Sequence, residues 1–107
     1  MPHAEVSIAR ILHALGDPKR RAMVEMLSRR PHSASYLAEA LQLTLTGVGQ
    51  HLQILESAKL VQTEKVGRTR VCGIEREGFK LLEQWIRELR SHWDRSFDQL
   101  EKLLDEE

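Results

Sequence analysis

One cysteine, Cys72, stands among 107 residues, so no intramolecular disulfide can staple the chain. Aromatic residues make up only 5%, which leaves a core to Leu, Ile, Val, Met and Ala. No apolar run approaches the ~20 residues that cross a bilayer. The first residues also lack the continuous apolar stretch of a secretory signal, so the expectation is a soluble, cytoplasmic protein with no membrane partner. Internal repeats, low-complexity tracts and linkers are missing too. A length of 107 residues suits one domain, 1–107, with a modest core. Net charge is zero, because 16 Lys and Arg balance 16 Asp and Glu.

That zero conceals a division. Residues 1–74 hold 10 Lys and Arg against 6 Asp and Glu, whereas residues 75–107 hold 6 against 10. A surface that meets phosphates depends on the local field rather than the total, so the basic part remains compatible with nucleic acid.

Apolar periodicity places the elements. Ile8, Ile11, Leu12 and Leu15 recur at i, i+3, i+4 and i+7, which predicts a helix over 5–15 that Gly16 stops. Asp17-Pro18 reads as an N-cap followed by a proline at the first helical position, opening a helix to about Arg30 that buries Ala22, Met23, Met26 and Leu27. Pro31 ends it. Ser33 is suited to cap a third helix reaching Leu41, and Thr44 a fourth from Leu45 to Ala58. Leu60–Lys65 and Thr69–Ile74 read as a hairpin around Val66-Gly67-Arg68. The fold class expected is mainly α with a small β-hairpin.

A last helix over 77–105 carries Leu82, Trp85, Leu89, Trp93, Phe97, Leu100 and Leu104 at spacings of 3, 4, 4, 4, 3 and 4. At 1.5 Å per residue it runs about 40 Å, longer than a small core can cover. Its distal half either folds back on its own domain or pairs with another chain, and pairing is the reading favoured. Ile8, Ile11, Leu12 and the seven residues just named are the expected homodimer interface.

Two short helices joined by about four residues, then a basic hairpin, make a shape that fits a major groove and the neighbouring backbone. Thr44, Thr46, Gly47, Gln50 and His51 open the second of these helices and can donate to or accept from base edges and phosphates. Lys65, Arg68 and Arg70 on the hairpin suit phosphate or minor-groove contact, although an exposed hairpin is also basic for solubility. Lys19, Arg20 and Arg21 open a helix where cations oppose its dipole. They are either a solvated basic turn or directed at an acidic surface, whether phosphate or the C-terminal helix.

The run Leu15-Gly16-Asp17-Pro18-Lys19-Arg20-Arg21, then Leu37-Ala38-Glu39-Ala40-Leu41, His51-Leu52-Gln53-Ile54-Leu55 and Gly67-Arg68-Thr69-Arg70, resembles the arsenical-resistance repressor (ArsR/SmtB) family. The resemblance implies a dimeric winged helix-turn-helix transcription regulator. The expected DNA-binding core is 16–74, with dimerisation helices at 5–15 and 77–105. The aromatic C-terminal helix is similar to a branch of that family with no recognised metal centre. Where the family carries a Cys-x-Cys metal motif, this chain has Ser33 and Ser35, and hydroxyls are poor ligands for soft cations. The family's serine two places before the His-Leu pair is Gly49 here.

The five histidines, at 3, 13, 32, 51 and 92, form no pair at i, i+3 or i, i+4. No metal or cofactor is expected, Cys72 reads as a core residue, and no arrangement of nucleophile, base or phosphate loop suggests an enzyme. The expected function is a repressor binding double-stranded DNA at an inverted repeat as a homodimer, its inducer unknown. The alternative is a winged-helix module that binds protein through the C-terminal helix and no DNA.

Overall fold

The structure, a computed structural model, describes residues 6–106. Its elements run α1 (Ile8–Leu15), α2 (Pro18–Arg29), β1 (His32–Ser33), α3 (Ala34–Ala40), α4 (Leu45–Ser57), β2 (Val61–Val66), β3 (Thr69–Ile74) and α5 (Arg76–Asp105). Four of the five helices start at a side chain that accepts a first-turn N–H. Ser7 accepts from Arg10 at 3.1 Å, and Asp17, Ser33 and Thr44 accept from Arg20, Tyr36 and Gly47 at 3.0 Å each. The caps expected at Asp17, Ser33 and Thr44 are therefore in place. The expected start of α1 at Glu5 lies outside the described residues.

The strands form one antiparallel sheet in the order β1-β3-β2. β2 and β3 pair from Val61↔Ile74 to Val66↔Thr69, which makes the loop two residues, Gly67-Arg68, rather than the three expected. Gly67 adopts φ 63°, a left-handed conformation that a side chain would strain. β1 was not expected: His32 and Ser33 pair with Cys72 and Val71, and two residues are too few to show alternation.

α3 and α4 end alike. Gln42 and Lys59 take left-handed φ of 56° and 57°, and the next residues, Leu43 and Leu60, donate back to Ala38 and Leu55 carbonyls at 2.8 and 3.1 Å. Neither is a glycine, so the sequence carried no mark of these stops.

The core sits where α1 to α4 meet the sheet. Ile11, Met23, Leu37, Val48, Leu52, Leu55, Leu60 and Cys72 are fully buried. Of the α2 residues expected inside, Met23 and Leu27 are buried, while Ala22 and Met26 are only partly so. Ile11 requires a correction. Expected on the dimer face, it is instead buried in this chain's own core, because α1 packs against α4 as well as α5. Its neighbour Leu12 is 45% exposed and keeps a surface role open.

α5 begins on that core and leaves it. Phe79, Leu81 and Leu82 pack partly against the buried cluster. Trp85 and Leu89 are half-covered, and every residue from 91 to 106 is exposed. Among these, Phe97, Leu100 and Leu104 are 58%, 51% and 62% exposed.

Candidate nucleic-acid interface

α3, the turn 41–44 and α4 form a helix-turn-helix, and β2–β3 projects beside it as a wing. Thr44 accepts the Gly47 N–H on its hydroxyl oxygen and so fixes the start of α4, its own O–H still able to donate. Thr46 and Gln50 are exposed on α4, while Gly47 and His51 are half-buried. Gln53, which the motif reading passed over, is also exposed, at i+3 from Gln50 and i+7 from Thr46. These three therefore share one face, and only their spacing in the sequence announced it.

The wing lies against the neighbouring side of α4. Ser33, Ala34 and Ser35 at the start of α3, Leu45 and Gly49 from α4, and Arg68, Thr69 and Arg70 from the wing line a cleft of about 360 Å³. A Cβ built at Gly49 would meet nothing within 4 Å, so its bare backbone leaves this cleft open.

The three wing cations are not equivalent. Arg70 donates to Glu56 Oε1 on α4 at 2.9 Å and to Thr63 Oγ1 at 3.3 Å, while Thr63 itself donates to Glu56 at 2.7 Å. That triad braces the wing on α4 and neutralises part of Arg70's charge. Lys65 and Arg68 are exposed and form no ion pair among the described residues.

Lys19, Arg20 and Arg21 turn out to serve the fold. Lys19 donates to the Leu41 carbonyl at 2.9 Å, and Arg21 to that of Leu15 at 2.7 Å. Arg20, 8% exposed, donates to the Ala14 carbonyl at 2.7 Å and to that of His13 at 3.2 Å. The three cations thus meet carbonyls at the ends of α1 and α3, where a positive charge complements the helix dipole. Lys19 and Arg21 stay exposed, as the solvated-turn expectation has them, while Arg20 is buried; all three meet carbonyls rather than an acidic side chain among the described residues. A third bond of Arg20, from Nη1 to His51 Nδ1 at 3.2 Å, ties it to α4.

Two titrating groups are shifted. The backbone hydrogen bond from Arg20 lowers the Asp17 carboxyl below its ordinary range, against the desolvation that opposes it. Burial pushes the Cys72 thiol up, more than the nearby Arg70 charge pulls it down, so the thiol stays protonated. Ser35 is exposed and Ser33 caps α3. Among the described residues no three His, Cys, Asp or Glu side chains gather as a metal site would need.

A helix-turn-helix with a basic antiparallel wing defines a winged helix-turn-helix protein. Comparison with known proteins agrees. Residues 15–64 match the helix-turn-helix domain family HTH_20. The chain is 34% identical over 98 residues to the HTH-type transcriptional regulator Rv2034 of Mycobacterium tuberculosis, covering 92% of this chain and 89% of that one. It is similar to a solved ArsR family transcriptional regulator, RHA00566, with TM-score 0.76 and 38% identity over 81% of this chain and 96% of that one. An ArsR-like regulator from Rhodococcus sp. RHA1 superposes with TM-score 0.79 at 25% identity, over 94% and 92% of the two chains. This chain belongs to the ArsR family of DNA-binding transcription regulators, a family of regulators rather than enzymes.

Proposed function

We propose that this protein is a cytoplasmic, homodimeric, sequence-specific repressor that binds an inverted-repeat operator. Thr46, Gln50 and Gln53 read bases from α4, and Lys65 and Arg68 hold the sugar-phosphate backbone from the wing. The observation that carries the reading is the exposed polar face of α4 on the same helix that the wing packs against, the wing's Lys65 and Arg68 being exposed and without an ion pair among the described residues. His51 and Gly47 approach from the half-buried flank of the same helix.

Dimerisation rests on α5. Its exposed Trp93, Phe97, Leu100 and Leu104 share one face of the helix, an apolar surface of a kind that monomers rarely leave uncovered, and Leu12 of α1 is exposed as well. Ile8, Leu82, Trp85 and Leu89 sit at its covered edge. A two-fold axis through such a seam would set two recognition helices about 34–36 Å apart, one turn of the duplex.

Fluorescence anisotropy with genomic fragments at two salt concentrations, alongside sedimentation analysis, tests the proposal. A dimer that binds some fragments in preference to random duplex, with affinity falling as salt rises, supports it. A dimer that binds no duplex even at low salt would leave the protein-interaction module as the better description.

A further inference from the structure

We infer that Arg20 is a positioning residue of the DNA-binding surface, holding His51 in the tautomer whose Nε2–H donates to a DNA phosphate. The inference rests on the DNA-binding reading above. A guanidinium has only donors, so the bond from Arg20 Nη1 to His51 Nδ1 at 3.2 Å needs a lone pair on Nδ1. A neutral ring with that lone pair carries its proton on Nε2.

The location of Nε2 follows from a second observation. His51 Nε2 has no hydrogen-bond partner among the described residues, and none of the buried side-chain nitrogens and oxygens there is left without one. Nε2 is therefore at the surface, although the ring as a whole is half-buried. His51 lies one residue beyond Gln50, on the flank of the exposed row rather than in it. A flank suits the backbone contacts that set register, where a neutral N–H meets a charged oxygen.

Arg20 cannot make such a contact itself. It is 8% exposed, and its guanidinium is fastened to the Ala14 and His13 carbonyls at the end of α1 as well as to the ring. Its part is orientation rather than charge. The same three bonds fasten α4 to α1, which packs on α5, so a shift of α1 and α5 would reach the phosphate donor through one side chain.

The test uses the full chain and a duplex that it selects from a randomised library. R20K keeps the charge but loses the fork, while H51Q supplies an amide donor at the Nε2 position that needs no tautomer. R20K should weaken binding about tenfold in the wild-type background, the size of one hydrogen bond to a charged group. In the H51Q background the same change should cost less than about twofold if the relay holds. Long-range proton–nitrogen correlation spectra should show Nε2–H in the wild type and a tautomer mixture in R20K. Should R20K fail to fold, H51N decides: its Oδ1 can still accept from Arg20, so it should melt like wild type yet bind DNA weakly. Equal losses from R20K in both backgrounds, an Nδ1–H ring in the wild type, or H51N binding at full strength would each overturn the inference. A wild type that binds no duplex overturns the DNA-binding reading as well, whereas binding with uncoupled substitutions overturns this inference alone.

Discussion

The backbone N–H of Gly78 donates to the carbonyl oxygen of Lys59 over 2.8 Å, and that bond seats the first turn of α5 on the end of α4. A Cβ at Gly78 would stand 2.7 Å from the Lys59 oxygen and closer still to that of Ala58. The junction between α4 and the long C-terminal helix thus depends on one missing methyl group.

G78A should therefore be destabilising, by about 1–3 kcal/mol or more as backbones are forced apart. Urea unfolding measures it, and an unchanged midpoint would show that α5 can lift off α4 at no cost.

Two glycines of α4 should respond differently to alanine. At Gly49 a methyl group meets nothing within 4 Å, whereas at Gly47 it would press on Thr44 Oγ1 at 3.1 Å. G49A should gain about 1 kcal/mol from helix propensity alone. G47A should gain less, because the cap must yield. Matched denaturation curves compare them, and a G47A gain as large as that of G49A would mean that the cap bond is dispensable.

Recognition should divide between helix and wing. Q50A should cost about 1–3 kcal/mol on the selected site and much less on random duplex, since a neutral amide reads base edges. R68A should weaken both duplexes alike and lower the slope of log affinity against log salt by about 1. R70A should change that slope less, because its guanidinium already pairs with Glu56 at 2.9 Å. Anisotropy across a salt series reads all three. Equal slopes for R68A and R70A would show that the Glu56 pair opens on DNA.

An aspartate in the exposed stripe of α5 should prevent assembly. F97D or L100D puts a charge where an apolar seam is proposed, and removing residues 92–107 deletes that part of the seam altogether. Sedimentation should report folded monomer for the two point variants, and monomer or aggregate for the truncation. A stable dimer in any of the three would place the interface elsewhere.

Acid should expose the Asp17 cap. Its carboxyl is lowered in the folded chain, so its contribution is fully present above the ordinary carboxylate value of about 3.9. It is lost as pH falls through the lower folded value. D17N keeps a capping oxygen without the titration, so its stability deficit should be constant above about pH 5 and shrink toward pH 2. A deficit independent of pH across that range would refute the assignment.

What the sequence determined by itself is what local chemistry dictates. Ser33 and Thr44 were legible as caps ahead of apolar periodicity, Asp17-Pro18 as the opening of a helix, and Gly67 as the wing turn, because each acts on backbone groups within a few residues. The extent of α4 followed from its cap and apolar pattern, and the long apolar stripe of α5 from spacing alone. The tertiary structure decided what depends on residues far apart in the chain. Ile11 became core because α1 has neighbours on two sides. Arg70 was drawn to Glu56, 14 residues away, and Lys19 to the Leu41 carbonyl, 22 residues away. Gly78 and the left-handed Lys59 make one junction that neither residue announces. A periodic pattern records which face of an element is apolar, but not which polar atoms another element will bring to it.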